Sequence, residues 1–202
     1  MSARHSAKIA LVVVCLAALF AVRAAGARTP GQPDATSATA PLYTRVLSID
    51  ELKGFWSVTC PVAVTSAAQW ATHSASSAEL ERNGFVNGLR EPLRSSGSSA
   101  QAWSAVAQFR TAAGARREAL SELSRSRTLG GTVNRFELPQ VPGSHGYSLA
   151  NGGTSRIAVG FASGRFQYLI EISGFDASDA AVLRARLTTA AAALYERAQA
   201  ST

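Results

Sequence analysis

The sequence predicts an α+β protein: an antiparallel sheet built from β-hairpins and packed against helices. Three observations carry that prediction. Over residues 156–174, RIAVGFASGRFQYLIEISG, two period-2 apolar runs (Ile157, Val159, Phe161, then Phe166, Tyr168, Ile170, Ile172) flank a Ser163-Gly164 turn, the pattern of a hairpin. Residues 178–198 place Leu183, Leu187, Ala190, Ala191 and Leu194 at helical spacing, a stripe able to cover the hairpin's apolar face. Hairpin followed by helix occurs twice, over 85–125 and over 132–198, without the strand-helix-strand alternation that a parallel sheet requires. Two similar halves forming one sheet, with helices on one or both faces, is the expected architecture.

The N-terminus reads as an export signal. Arg4 and Lys8 precede an uncharged run over 9–22, and Ala25-Gly26-Ala27 offers small residues where a signal peptidase reads them. The run is too short for a spanning helix, which needs about 20 residues. Residues 1–27 are therefore read as a signal peptide, with membrane contact only through that segment before cleavage. Val12-Val13-Val14-Cys15 matches a lipobox poorly, because the residue before the cysteine is not small and the apolar run continues past it.

Residues 28–41, RTPGQPDATSATAP, lack apolar periodicity and form a flexible linker, so that a single α+β domain over 42–202 is expected. The formal charge of +7 loses three basic residues and no acid with the signal, which leaves +4. Lys53 is then the only lysine. This arginine-biased surface has no basic stripe of the kind that binds nucleic acid, so no nucleic-acid partner is expected. Anionic wall polymers or lipid head groups fit such a balance as weak partners. Once the signal is removed Cys60 is the sole cysteine, with no internal bridge available, and its apolar, β-prone setting reads as burial.

Along the domain, 42–49 reads as a strand or edge segment, and Ser48-x-x-Glu51 as a capping box that could start a helical turn at 49–53. Residues 55–64 are β-prone and bent by Pro61, so they belong at a sheet edge. A short helix over 65–72 turns Trp70 inward. A second starts at Ser76-x-x-Glu79 and ends at Asn83-Gly84. Residues 85–93 and 101–110 form a hairpin across a serine-rich turn, with Trp103, Ala105, Ala107 and Phe109 alternating. Thr111 caps a helix over 112–125 whose apolar face is Ala119, Leu120 and Leu123, with the charged residues largely elsewhere. Gly130-Gly131 stops it. Strands follow at 132–138 and 146–150 around a proline-glycine loop that ends in Ser144-His145, and Ser178 caps the last helix.

Catalytic and metal-binding patterns are sparse. His73 and His145 are the only histidines after the signal, both in loops and neither near a nucleophile elbow. Cys60 with a histidine is a formal thiol-base pair that nothing in the sequence brings together. No metal-ligand spacing and no phosphate-binding glycine loop occurs, and no metal or cofactor is expected. Glu91, Glu137 and Glu171 lie on predicted strands, as carboxylates do in most α+β proteins. The aromatic residues are read first as core, or as the lining of an apolar pocket. The candidate ligand-binding residues are His145, Trp103, Phe166 and Tyr168.

The succession GFVNGLREPL, a serine-rich turn, AVAQFRTAAGARREAL, LPQVPGSHGYSLANGG, IAVGFASGRFQYLIEISG and an alanine-rich helix resembles exported, mostly uncharacterised domains of high-GC Gram-positive bacteria. The resemblance covers about 47–197. It implies an extracytoplasmic accessory or sensor-like domain and carries no catalytic motif. The leading reading is a non-enzymatic, exported binding or sensor-like module for a small apolar ligand, an envelope component or a protein partner. A secreted hydrolase and a structural or adhesive envelope protein are the alternatives.

Overall fold

The computed structural model describes residues 40–48, 50–71, 76–126, 130–151 and 154–201. Their strands are β1 (Phe55–Ser57), β2 (Val62–Val64), β3 (Phe85–Ser95), β4 (Gln101–Phe109), β5 (Thr132–Phe136), β6 (His145–Asn151), β7 (Thr154–Ser163) and β8 (Phe166–Phe175). The helices are α1 (Ala67–Trp70), α2 (Ser77–Asn83), α3 (Ala112–Arg125) and α4 (Ala180–Ala200). All eight strands join one antiparallel sheet in the order β1-β3-β4-β8-β7-β6-β5, and β2 pairs with the same edge of β3 as β1. The α+β architecture read from the sequence is the architecture observed. The two segments are unequal rather than similar halves, one a single hairpin and the other a four-strand meander, and β4 against β8 joins them.

Helices cover both faces. On one, α4 lays Leu183, Leu187, Ala190, Ala191 and Leu194 over Ile157, Val159, Phe161, Ile170 and Ile172 in the main core. Phe161 stacks on Tyr168 with ring centroids 4.8 Å apart. On the other, α1, α2 and α3 pack over Ala105, Ala107, Phe109 and Ala158. The alternation is thus one of size: bulky side chains face α4, and small ones let α3 approach closely. Gly88 serves the same end, because a Cβ there would run into the Trp70 ring.

Local signals explain the elements that match expectation. Ser66, Ser76 and Thr111 each accept a backbone N–H as helix caps, from Gln69, Glu79 and Gly114. Gly84 ends α2 at φ 82°, a left-handed conformation natural to glycine. Pro61 falls in the break between β1 and β2, and both are edge strands.

Five local readings are corrected. Residues 42–49 form no strand. Ala40–Arg45 is a 3-10 turn, and the Leu47 N–H goes to the side-chain Oγ of Ser104 at 2.9 Å instead of to a strand carbonyl. Leu42, Val46 and Leu47 are buried at a spacing that period 2 cannot supply. Within it the Ser48 N–H does donate to Glu51 Oε2 at 2.6 Å, so half of the capping box forms around a turn; Ile49 lies outside the described residues. The hairpin loop is Gly164-Arg165, one residue later than read, because Ser163 pairs with Phe166 and is buried. Ser178 sits in a 3-10 turn, Ala177–Asp179, and Asp179 takes the cap position of α4 without a side-chain bond.

The fourth correction concerns α3, where Leu120 is exposed and Glu118 is buried. The carboxylate accepts from Arg125 Nη2 at 2.5 Å and from Asn83 Nδ2 at 3.0 Å. Glu122 and Glu79 complete the setting of Arg125, at 2.8 and 3.4 Å. A charged residue thus holds the helix-to-helix junction where an apolar one was expected. The fifth is Cys60, which is exposed rather than buried. Residues 1–39 and 72–75, which include His73, lie outside the described residues.

Leu187, fully buried at the centre of α4, sets the sheet-helix contact, so Leu187→Ala should lower stability by about 3 kcal/mol. Urea unfolding followed by far-UV circular dichroism measures it, and a loss under about 1 kcal/mol would contradict this packing. Glu118→Leu should cost a similar amount, about 3 kcal/mol, by leaving Arg125 and Asn83 against a side chain that accepts nothing.

Candidate functional site

The elements over the α3 face leave its β1–β3–β4 end open. Trp56 and Trp103 are 41% and 38% exposed there, and Val62 is 53% exposed. Alternation fixes their common side. Phe55, Leu89, Leu93 and Ala102 belong to the core under α4, so Trp56, Arg94, Pro92 and Trp103 point the other way. In register, Trp56 lies opposite Arg94 and Trp103 opposite Pro92. Strand spacing and rise put the two tryptophan backbones on the order of 12 Å apart, with Arg94 and Pro92 between them.

Charged groups border this strip. Arg94 and Gln101 are exposed beside the indoles. Arg156 Nε meets Glu171 Oε1 at 3.3 Å. Arg90 donates to the Trp70 carbonyl and lies 4.5 Å above the Trp70 ring centroid, which fixes the guanidinium at the strip's inner margin. Burial lowers the pKa of Arg90, against the pull of the Glu122 charge. Burial raises that of Glu171, with Arg156 opposing the shift and Glu122 reinforcing it. Tyr147 behind them is also raised, by burial first and then by Glu171 and Glu122, with Arg156 opposing.

The four candidate binding residues do not converge. Trp103 lies on the open strip. His145 is half-buried on the same side as Tyr147 and opposite Gly160, well across the sheet. Phe166 and Tyr168 are buried beneath α4 on the opposite face. Arg45 holds them there, with Nη1 donating to the Tyr168 hydroxyl at 2.9 Å and Cζ 4.0 Å from the Phe166 centroid. Cys60, beside the β2 edge strand, is five inter-strand steps from β6 and His145, about 24 Å. The structure therefore does not assemble that thiol-base pair. Among the described residues no group of three or more His, Cys, Asp or Glu could hold a metal ion.

Sequence reasoning missed Trp56, Arg94 and Arg90 as partners of Trp103. The signal that could have found them was the alternation Phe55-Trp56-Ser57, continued through the pairing of β1 with β3. That pairing is non-local and was not readable from the sequence.

A second charged cluster lies under α4. Glu91, buried on β3, shares the Ser57 hydroxyl with the Thr59 carbonyl. Burial raises its pKa, the Ser57 bond opposes the shift and the Glu51 charge adds to it. Arg197 ties Glu51 Oε1 (2.5 Å) and the Val46 carbonyl (2.6 Å) to α4. These bonds fasten the segment around Val46 and Glu51 to α4.

The class defined by this geometry is an antiparallel α+β sandwich with one open sheet strip. No protein-family model and no curated protein matches the chain. Among solved structures it is similar to the extracellular domain of PknH from Mycobacterium tuberculosis, at 12% identity and a TM-score of 0.50, over 72% of this chain and 92% of that one. That likeness shows the fold. No helix among the described residues is long and apolar enough to cross a membrane.

Glu91 supplies a pH test. Its folded-state pKa lies above the unfolded one, so the folded state binds more protons and stability falls as pH rises through that window. Glu91→Gln should remove this loss. The urea midpoint of the variant relative to wild type should climb as pH rises above the ordinary glutamate pKa of about 4.3, and a constant difference would contradict the assignment.

Proposed function

We propose that this chain is an exported, non-enzymatic recognition module that holds an envelope component on the open strip of its sheet. One observation carries the reading: two tryptophans stand exposed on one sheet face, Trp56 opposite Arg94 and Trp103 opposite Pro92 on the strand between them, at the end of a face that helices cover elsewhere. Large apolar groups left exposed together on a sheet mark a contact surface. The export signal read at residues 1–27 supports a place for that surface outside the cytoplasm, as does the fold shared with a mycobacterial extracellular domain.

Of the charged groups bordering the strip, Arg156 is engaged with Glu171 and Arg90 with the Trp70 carbonyl, which leaves the exposed Arg94 to meet a ligand. Recognition there needs only stacking on the indoles and hydrogen bonds to the guanidinium groups.

Two measurements test the proposal. Protein processed by a high-GC Gram-positive host should begin at Arg28 by intact mass, and retention of residues 1–27 would contradict export. Isolated cell-wall material should retain the wild-type protein, and the Trp56→Ala/Trp103→Ala double variant should be retained about tenfold less with an unchanged urea midpoint. Equal retention of the two would remove the strip from the function.

A further inference from the structure

Resting on that reading, we propose that the occupant of the strip is an acidic glycan, its sugar rings stacked on Trp56 and Trp103 and its anionic groups held by Arg94. The two indoles are offset by two strands and two residues, so a linear saccharide can cross both in one extended pose. Sugar rings present flat arrays of C–H bonds to an aromatic face and hydroxyls at their rims. The strip offers both partners: the indoles for the faces, and Gln101 and Ser173, which lie in one cross-strand row with Arg94, for the hydroxyls.

Charge selects the acidic kind. Arg94 is exposed between the indoles, while the carboxylates behind it, Glu171 and Glu122, face Arg156 and Arg90. A guanidinium fork binds carboxylate or phosphate with two parallel bonds, and an exposed one keeps that capacity. The same groups count against a lipid surface as the occupant. Seating the indoles in hydrocarbon would also desolvate Gln101, Arg94 and the Arg156–Glu171 pair, which is costly for polar and charged groups.

The test is a titration of the exported protein with a short β-1,4-linked glucuronate oligosaccharide, followed by tryptophan fluorescence. A cello-oligosaccharide of equal length shares its backbone but lacks the carboxylates. A phosphorylated cello-oligosaccharide distinguishes phosphate from carboxylate as the source of charge, and phosphatidylglycerol vesicles are the membrane arm. The acidic chains should bind about tenfold more tightly than the neutral one. Arg94→Gln should erase that difference together with its salt dependence, while Trp103→Ala should weaken both acidic and neutral chains about tenfold and Trp103→Phe much less.

Equal affinity for acidic and neutral chains, binding to vesicles alone, or no saccharide binding at all would each overturn the proposal. If wall retention still depends on the two tryptophans in any of those cases, the recognition module stands and only the acidic glycan falls. If wall retention ignores the tryptophans as well, both fall.

Discussion

Strand β8 is paired along both edges, with β4 and β7, and its two faces are both covered. Phe166, Tyr168, Ile170 and Ile172 are buried under α4, while Gln167, Leu169 and Glu171 turn toward α3 and its surroundings. A strand enclosed in this way forces the sheet to hold helices on both sides, and the two sides solve the problem differently. Bulky side chains fill the wide space beneath α4. On the other face Ala105, Ala107, Ala158 and Gly160 bring α3 close, and what is gained in contact there is limited to the strands that α3 crosses.

The open strip follows from that limit. Helix α3 starts at the end of β4 and packs over β4, β8, β7 and β6, so it turns away from β1 and the far half of β3. The short helices α1 and α2 cover only the Gly88 end of β3, where Trp70 needs the missing side chain. Trp56, Pro92, Arg94 and Trp103 are left facing outward. Exposure of two indoles on one sheet face is a consequence of where the helices stop, and it gives the fold a surface whose chemistry differs from the rest.

The parts of this fold that were legible in the sequence are those written in local code. Caps at Ser76 and Thr111, the left-handed glycine at 84, the leucine stripe of α4 and the two-run hairpin all state their structure within a few residues. What was not legible depended on partners far along the chain. Glu118 looked like a solvated helix residue, because Asn83, 35 residues earlier, supplies its bond. The segment around Leu47 looked like a strand because nothing local announces that Ser104 will take its N–H. Phe166 and Tyr168 were read as binding residues beside Trp103, yet the β4–β8 register sets them on the face opposite it. The same period placed Trp56 on the open strip, but only the β1–β3 register tells which strand it neighbours.

The central claim is that the outward-facing end of β1, β3 and β4 is the working surface. Amide and indole chemical-shift mapping of the protein, titrated with solubilised cell-wall fragments, tests it directly. The account predicts shifts gathered at residues 56, 92–94, 101–103 and 171–173, with the Trp56 and Trp103 indole signals moving most. Shifts confined to β5, to the loop before His145, or to the surface of α4 would contradict it.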